Sequence, residues 1–156
     1  MFLTETWINE NSNGIALHHS TPDGYTFLQT PRKGERNGGG VAIIARSFLT
    51  PKDISRCYKD YLSFEFIVST FRIEHQTVNI CVLYRPAPSI RNNIDRNLFV
   101  REFDEFLEIC LTSKGPIAMF GNFNIHFDND SHNETAIFKS LLDSLGLQKT
   151  CICTNS

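Results

Sequence analysis

The sequence predicts a mixed α/β sandwich, with sheets packed by a few helices, and three observations lead there. Two adjacent β-rich runs, Ser63 to Ile73 and Thr77 to Tyr84, are separated only by a short polar break. Downstream, apolar residues recur at helical spacing in two separate stretches. A short buried-type strand, Pro116 to Phe120, lies between those stretches. Such alternation places helices against sheet faces, and an antiparallel hairpin excludes a purely doubly wound parallel sheet.

The elements follow in chain order. Leu3-Thr4-Glu5-Thr6-Trp7 reads as the end of a short apolar strand that delivers a carboxylate. Gly38-Gly39-Gly40 leads into Val41-Ala42-Ile43-Ile44-Ala45, a β-branched run typical of a buried strand. In the first hairpin arm Phe64, Phe66 and Val68 occupy one face while Ile67, Phe71 and Ile73 occupy the other. Both faces are apolar, so this sheet is expected to be covered on both sides. From about Asn97 the period changes to three and four, with Phe99, Phe103, Phe106, Leu107 and Cys110 on one stripe that ends at Lys114-Gly115-Pro116. Ser131 with Glu134 three residues on forms a capping box. Ile137, Phe138, Leu141, Leu142 and Leu145 then make a second stripe, closed by Gly146.

Composition bounds the class. The 156 residues are 41% hydrophobic, with 13 phenylalanines, and 15 basic against 17 acidic residues give a net charge of −2. That is enough apolar material for a core, which excludes a disordered or collagenous chain. No apolar run reaches the roughly 20 residues of a membrane span. The opening Met1-Phe2-Leu3-Thr4-Glu5 has neither a basic flank nor an apolar signal segment, so the expected compartment is cytoplasm or nucleus, not secretion. Near-neutral charge requires any nucleic-acid contact to come from a local patch. The five cysteines Cys57, Cys81, Cys110, Cys151 and Cys153 include no C-x-x-C pair and read as free thiols. Two Asn-x-Ser/Thr sequons, at Asn129 and Asn133, sit in an Asn-rich loop.

Several strand ends carry polar residues suited to chemistry. In Met119-Phe120-Gly121-Asn122-Phe123-Asn124-Ile125-His126 a buried strand runs into a Gly-Asn-x-Asn turn. The pair is either a site held rigidly at a sheet edge or an ordinary Asx turn. Cys81-Val82-Leu83-Tyr84-Arg85-Pro86 ends another strand in a tyrosine, an arginine and a proline. Taken singly, Glu5 could be an exposed strand-end charge and Tyr84 a core aromatic with a wet tip. The segment Pro31-Arg32-Lys33-Gly34-Glu35-Arg36 could touch a phosphate backbone, although three basic residues around one acid also make a plain solvated loop.

Together, the Leu-x-Glu-Thr-Trp, Gly-Gly-Gly-Val-Ala, Tyr-Arg-Pro, Gly-Asn-Phe-Asn-Ile-His and Leu141-Leu142-Asp143-Ser144-Leu145-Gly146-Leu147-Gln148 segments occur in an order that resembles the endonuclease/exonuclease/phosphatase superfamily. More narrowly, the set is similar to the endonuclease domains of LINE-type (non-LTR) retrotransposons. The resemblance covers almost the whole chain. It implies a DNase I-like four-layer α/β sandwich and Mg²⁺-assisted hydrolysis of DNA phosphodiesters. It assigns Glu5 to metal binding, and Tyr84, Asn122 and Asn124 to the catalytic positions around the phosphate. Arg32, Lys33, Arg36 and Arg85 are the candidate nucleic-acid contacts, DNA is the implied partner, and no obligate protein partner or membrane is inferred.

Departures from the family pattern are part of the expectation. Asn122 stands where the family carries an aspartate that handles the attacking water, and a carboxamide cannot take the proton. Asp128 and Asp130 lie nearby in a polar loop, without an evident rescuing role. The family's first strand, with its asparagine, and its late Ser-Asp-His segment have no counterpart in residues 1–156. The chain is therefore expected to be a single but incomplete domain truncated at both ends, a remnant of a Mg²⁺-dependent endonuclease with impaired catalysis. An active nicking enzyme and a non-catalytic phosphate or nucleic-acid binding module are the alternatives.

Overall fold

The computed structural model describes residues 1–8, 14–32, 38–88, 95–127 and 133–148. They fall into two compact units, residues 1–124 and 125–156.

The first unit contains two sheets. Strands β1 (Phe2–Thr4), β2 (Tyr25–Thr30) and β3 (Val41–Arg46) form the first, in the order β1-β3-β2 with antiparallel pairing throughout. The second has the order β4-β5-β6-β7, from β4 (Lys52–Asp53), β5 (Glu65–Ile73), β6 (Gln76–Tyr84) and β7 (Ile117–Asn122). The expected hairpin is present as β5 and β6, paired from Ile73 and Gln76 at the turn to Glu65 and Tyr84 at the open end. Strands β6 and β7 are parallel. Parallel neighbours need a long crossover, and helix α2 (Arg96–Thr112) lies within it.

Alternation along the strands builds the layers. Val41, Ile43 and Ala45 of β3 face Ile67, Phe71, Val82 and Tyr84 of the second sheet, making the core between the sheets. The alternate residues Ala42 and Ile44 point the other way, where they pack with Ile8 and with Leu17 of the short helix α1 (Ile15–Ser20). On the far side of the second sheet the stripe Phe99, Phe103, Phe106, Leu107 and Cys110 of α2 is buried. Phe106 meets Phe66 with ring centroids 4.9 Å apart and Phe64 at 5.5 Å. The order is therefore helix, sheet, sheet, helix. Asp95 caps α2 by accepting from Asn97 N at 3.3 Å, and Glu102 fixes the loop before β5 by accepting from Ser63 N at 2.9 Å and Ser63 Oγ at 2.6 Å.

In the second unit helix α3 runs Asn133–Ser144. Phe138 is buried with Phe127, ring centroids 5.5 Å apart, and Thr135 Oγ1 donates to His126 O at 3.0 Å. The expected stripe is only partly used, because Ile137 is exposed and Leu141, Leu142 and Leu145 are half-buried. Gly146 ends the helix as anticipated, with φ +68° and Leu147 N donating to Leu142 O at 2.9 Å. Ser131 of the capping box, both interior loop aspartates, the Asn129 sequon, Cys151 and Cys153 lie outside the described residues. Cys57, Cys81 and Cys110 are free thiols, and among the described residues no helix is long and apolar enough to cross a membrane.

The aromatic layer under α2 carries a testable load. Phe106→Ala is expected to lower unfolding free energy by about 3–5 kcal/mol in a denaturant titration, as a buried phenylalanine leaves a cavity. Phe48→Ala, at an exposed side chain, is expected to change it by no more than about 0.5 kcal/mol.

Candidate active site

The polar strand ends converge. Strands β6 and β7 are parallel and in register, so their last residues, Tyr84 and Asn122, stand side by side. Gly121 permits that closeness, since a Cβ there would collide with the Leu83 carbonyl of β6. Strand β1 belongs to the other sheet. Its placement over β7 is marked by Phe2 stacked on Phe120 with centroids 4.2 Å apart. The chain leaves β1 at Glu5, and the Glu5 carboxylate comes close enough to the Tyr84 hydroxyl to raise its pKa, as an acceptor and through its charge.

The two residues sit in different surroundings. Tyr84 is 7% exposed, and its phenol is pushed up to about 12, first by burial and then by the hydrogen bond to Glu5. Glu5 is exposed and has a left-handed backbone, φ +55°. The following residues are pinned to the glycine run, Thr6 N donating to Gly40 O at 3.2 Å and Trp7 N to Gly39 O at 2.9 Å. Only glycine fits at position 40, where a Cβ would strike Thr6 Oγ1.

Asn122 and Asn124 satisfy both readings of their turn. Asn122 Oδ1 accepts from Asn124 N at 3.0 Å, which is an Asx turn. Asn124, at φ +49°, sends its Nδ2 to the Arg85 carbonyl at the end of β6. Arg85 N in turn donates to Asn122 O at 2.9 Å. The turn thus fixes two carboxamides beside the phenol and the carboxylate. Glu5, Tyr84, Asn122 and Asn124 occupy one end of the two sheets.

The basic candidates are placed differently. Arg85 is fully buried, its guanidinium 4.2 Å over the Phe99 ring and Nη1 3.4 Å from Phe123 O. Arg32 is 9% exposed, and its Nε lies 3.1 Å from Glu65 Oε1. Lys33 and Arg36 lie outside the described residues. Glu65 was not singled out in the sequence, yet it pairs in register with Tyr84 and also accepts from Gly40 N. Its signal was available: Glu65 shares the inward face of β5 with Ile67 and Phe71, and a carboxylate on such a face needs a partner. The same pairing explains Gly39, where a Cβ would come within 2.7 Å of both Glu65 oxygens.

The group offers one accessible carboxylate, one phenol held protonated and two carboxamides. No cluster of three or more His, Cys, Asp or Glu side chains able to hold a metal occurs among the described residues. Among the described residues of this group, Glu5 is the carboxylate that a Mg²⁺ ion could draw on. That suits an ion that keeps several waters and is bound through one or two carboxylates plus a phosphate.

No family model and no curated protein matches the chain in sequence. Solved structures do match in fold. The chain is similar to the AP endonuclease LMAP from Leishmania major (TM-score 0.61, 12% identity, covering 91% of this chain and 56% of that one). It is similar also to the endonuclease domain of TRAS1, a telomere-specific non-LTR retrotransposon (0.56, 10%, 81% and 54%). A third similar structure is TDP2 from D. rerio complexed with single strand DNA product (0.55, 13%, 96% and 58%). The chain spans a little over half the length of each.

The phenols give a pH signature. Tyr58, Tyr61 and Tyr84 are each raised to about 12, burial being the largest cause. An unfolded phenol ionises near 10, so above that pH the unfolded chain holds fewer protons and folding weakens. The stability contributed by these groups is complete below about pH 10 and lost as the pH rises through about 12, which melting temperatures across that window should show. Glu5→Gln is expected to lower the Tyr84 value alone, read from tyrosine ring resonances.

Proposed function

We propose that this chain, whose fold is the DNase I-like fold of the endonuclease/exonuclease/phosphatase superfamily, carries a phosphodiester-binding site descended from a DNA endonuclease and impaired in hydrolysis. The observation that carries this reading is the convergence of Tyr84 and Glu5, strand ends from two different sheets, beside the Asn122 and Asn124 turn. Structural neighbours described as an AP endonuclease, a retrotransposon endonuclease domain and a protein bound to a single-strand DNA product support nucleic acid as the substrate class.

The roles follow from the donor set. Glu5 is the carboxylate that would hold Mg²⁺; Glu65 is committed to Arg32 and Gly40. A metal bound there would polarise a phosphoryl oxygen and offset charge on the leaving oxygen. Tyr84, kept protonated to about pH 12, would serve as a neutral donor toward a phosphate. Asn124 is a second neutral donor, and the Arg85 carbonyl and Asn122 hold it in place. Preorganised donors of this kind stabilise developing negative charge. Hydrolysis also needs a base for the attacking water, and Asn122 cannot accept a proton. Loss of a general base typically lowers rate by a factor of about 10² to 10⁴. Asn122 is the specific reason to keep a non-catalytic phosphate-binding module as the second reading.

Two measurements test this. Mn²⁺ should broaden the Tyr84 ring resonances of the intact chain, and Glu5→Gln should abolish the broadening; unbroadened Tyr84 would remove the metal assignment. In a supercoiled plasmid assay with Mg²⁺, nicking should not exceed that of Glu5→Ala. Nicking that depends on Glu5 would show that catalysis is intact.

A further inference from the structure

We propose that Trp7 is a stacking platform for an unpaired nucleobase next to the phosphate held at Glu5 and Tyr84. The inference deepens the functional reading above and rests on it, because the phosphate places the strand. Trp7 is the single tryptophan of the chain and is 68% exposed. An exposed apolar side chain is ordinary by itself, as Phe48 and Leu62 are more open still, so it is the position of the indole beside Glu5 that carries the inference.

Its presentation is specific. Trp7 has φ +57°, a left-handed conformation that bulky side chains rarely adopt, two residues after Glu5 with the same feature. Backbone strain of this kind persists only where neighbours fix it, and here Trp7 N donates to Gly39 O while Thr6 N donates to Gly40 O. The glycine run gives the ring its seat. A Cβ on Gly38 would lie 3.8 Å from Trp7 Cζ2 and 3.9 Å from Arg32 Nη1, so the indole and the Arg32 head flank one bare backbone position. The strained turn thus exposes the carboxylate and the indole while burying the Thr6 hydroxyl between them.

Distance and chemistry select the occupant. Two residues span at most about 7 Å, so a phosphate at Glu5 leaves the base of its own or an adjoining nucleotide within reach of the ring. Base stacking on an aromatic side chain is tolerant of sequence but requires a free base face, which single strands, bulges and frayed ends supply. A paired duplex does not. The predicted ligand is therefore a single-stranded segment, read by its π surface rather than by hydrogen bonds to base edges.

The test uses the full chain with end-labelled oligothymidine and an abasic strand of equal length. Trp7→Asn removes the ring while tolerating the left-handed backbone, and Trp7→Phe keeps a smaller ring. Oligothymidine should quench the tryptophan emission of the native chain. Trp7→Asn should weaken its binding roughly 5- to 150-fold, the range for one stacked base, with Trp7→Phe recovering part of the loss and all three proteins binding the abasic strand equally. Unchanged affinity in Trp7→Asn, or an equal loss on both strands, overturns the proposal, as does failure of the native chain to bind oligothymidine. The Mn²⁺ experiment separates the two readings. Broadening at Tyr84 without a Trp7 effect leaves the phosphate site standing and removes only the platform, whereas a Trp7 effect without broadening removes the metal site and with it the placement of the strand at Glu5, overturning the proposal in this form.

Discussion

Strand β6 has to be dry on both faces, and much of the first unit follows from that constraint. Cys81, Val82, Leu83 and Tyr84 are all buried. One face requires the opposing sheet and the other requires α2, so neither layer is optional. Lateral neighbours are equally necessary, since every buried backbone donor and acceptor must pair. The hairpin partner β5 satisfies one edge and the parallel strand β7 the other. The site is a by-product of this packing. Because β6 and β7 end together, their terminal side chains meet where the sheet gives out, and the inter-sheet core brings the end of β1 to the same place.

Much of this was legible in sequence. The two-faced apolar pattern of Ser63 to Ile73 gave β5 and its coverage on both sides, and the Phe99, Phe103, Phe106, Leu107 and Cys110 stripe gave α2. Strand β7 continues through Gly121 to Asn122, beyond the apolar run, because parallel pairing with β6 holds the polar residue in register. Strand β2 and helix α1 were not read. Six residues in α1 are too few for a period to declare itself, and β2 mixes polar and apolar residues because it is an edge strand, half-buried along most of its length. Among the candidate residues, Glu5 and Tyr84 were read from strand ends, and the structure brings them into contact. The setting of Arg85 was invisible: nothing in a Tyr-Arg-Pro string reveals that the guanidinium lies over Phe99. Long-range neighbours decide whether an arginine is interior or free.

Asn122 separates structural demand from chemical demand. Its Oδ1 accepts the Asn124 backbone donor, a task an aspartate oxygen performs as well. Folding of the turn therefore gives no preference for amide over acid at this position. An amide differs from a carboxylate here in its chemistry, since it neither accepts a proton nor carries a charge. The sheet that holds the turn is thus indifferent to which of the two stands there.

The ion pair between Arg32 and Glu65 has a further consequence for how a strand would be held. A polyanion gains affinity by shedding condensed counterions when free cationic side chains replace them, and each such contact steepens the dependence of binding on ionic strength. Arg32 is already neutralised inside the protein and Arg85 is sealed under Phe99. Neither is a ready replacement for a counterion. Neither arginine would accordingly add a counterion-releasing contact, or steepen the salt dependence of a strand bound at this end of the sheets.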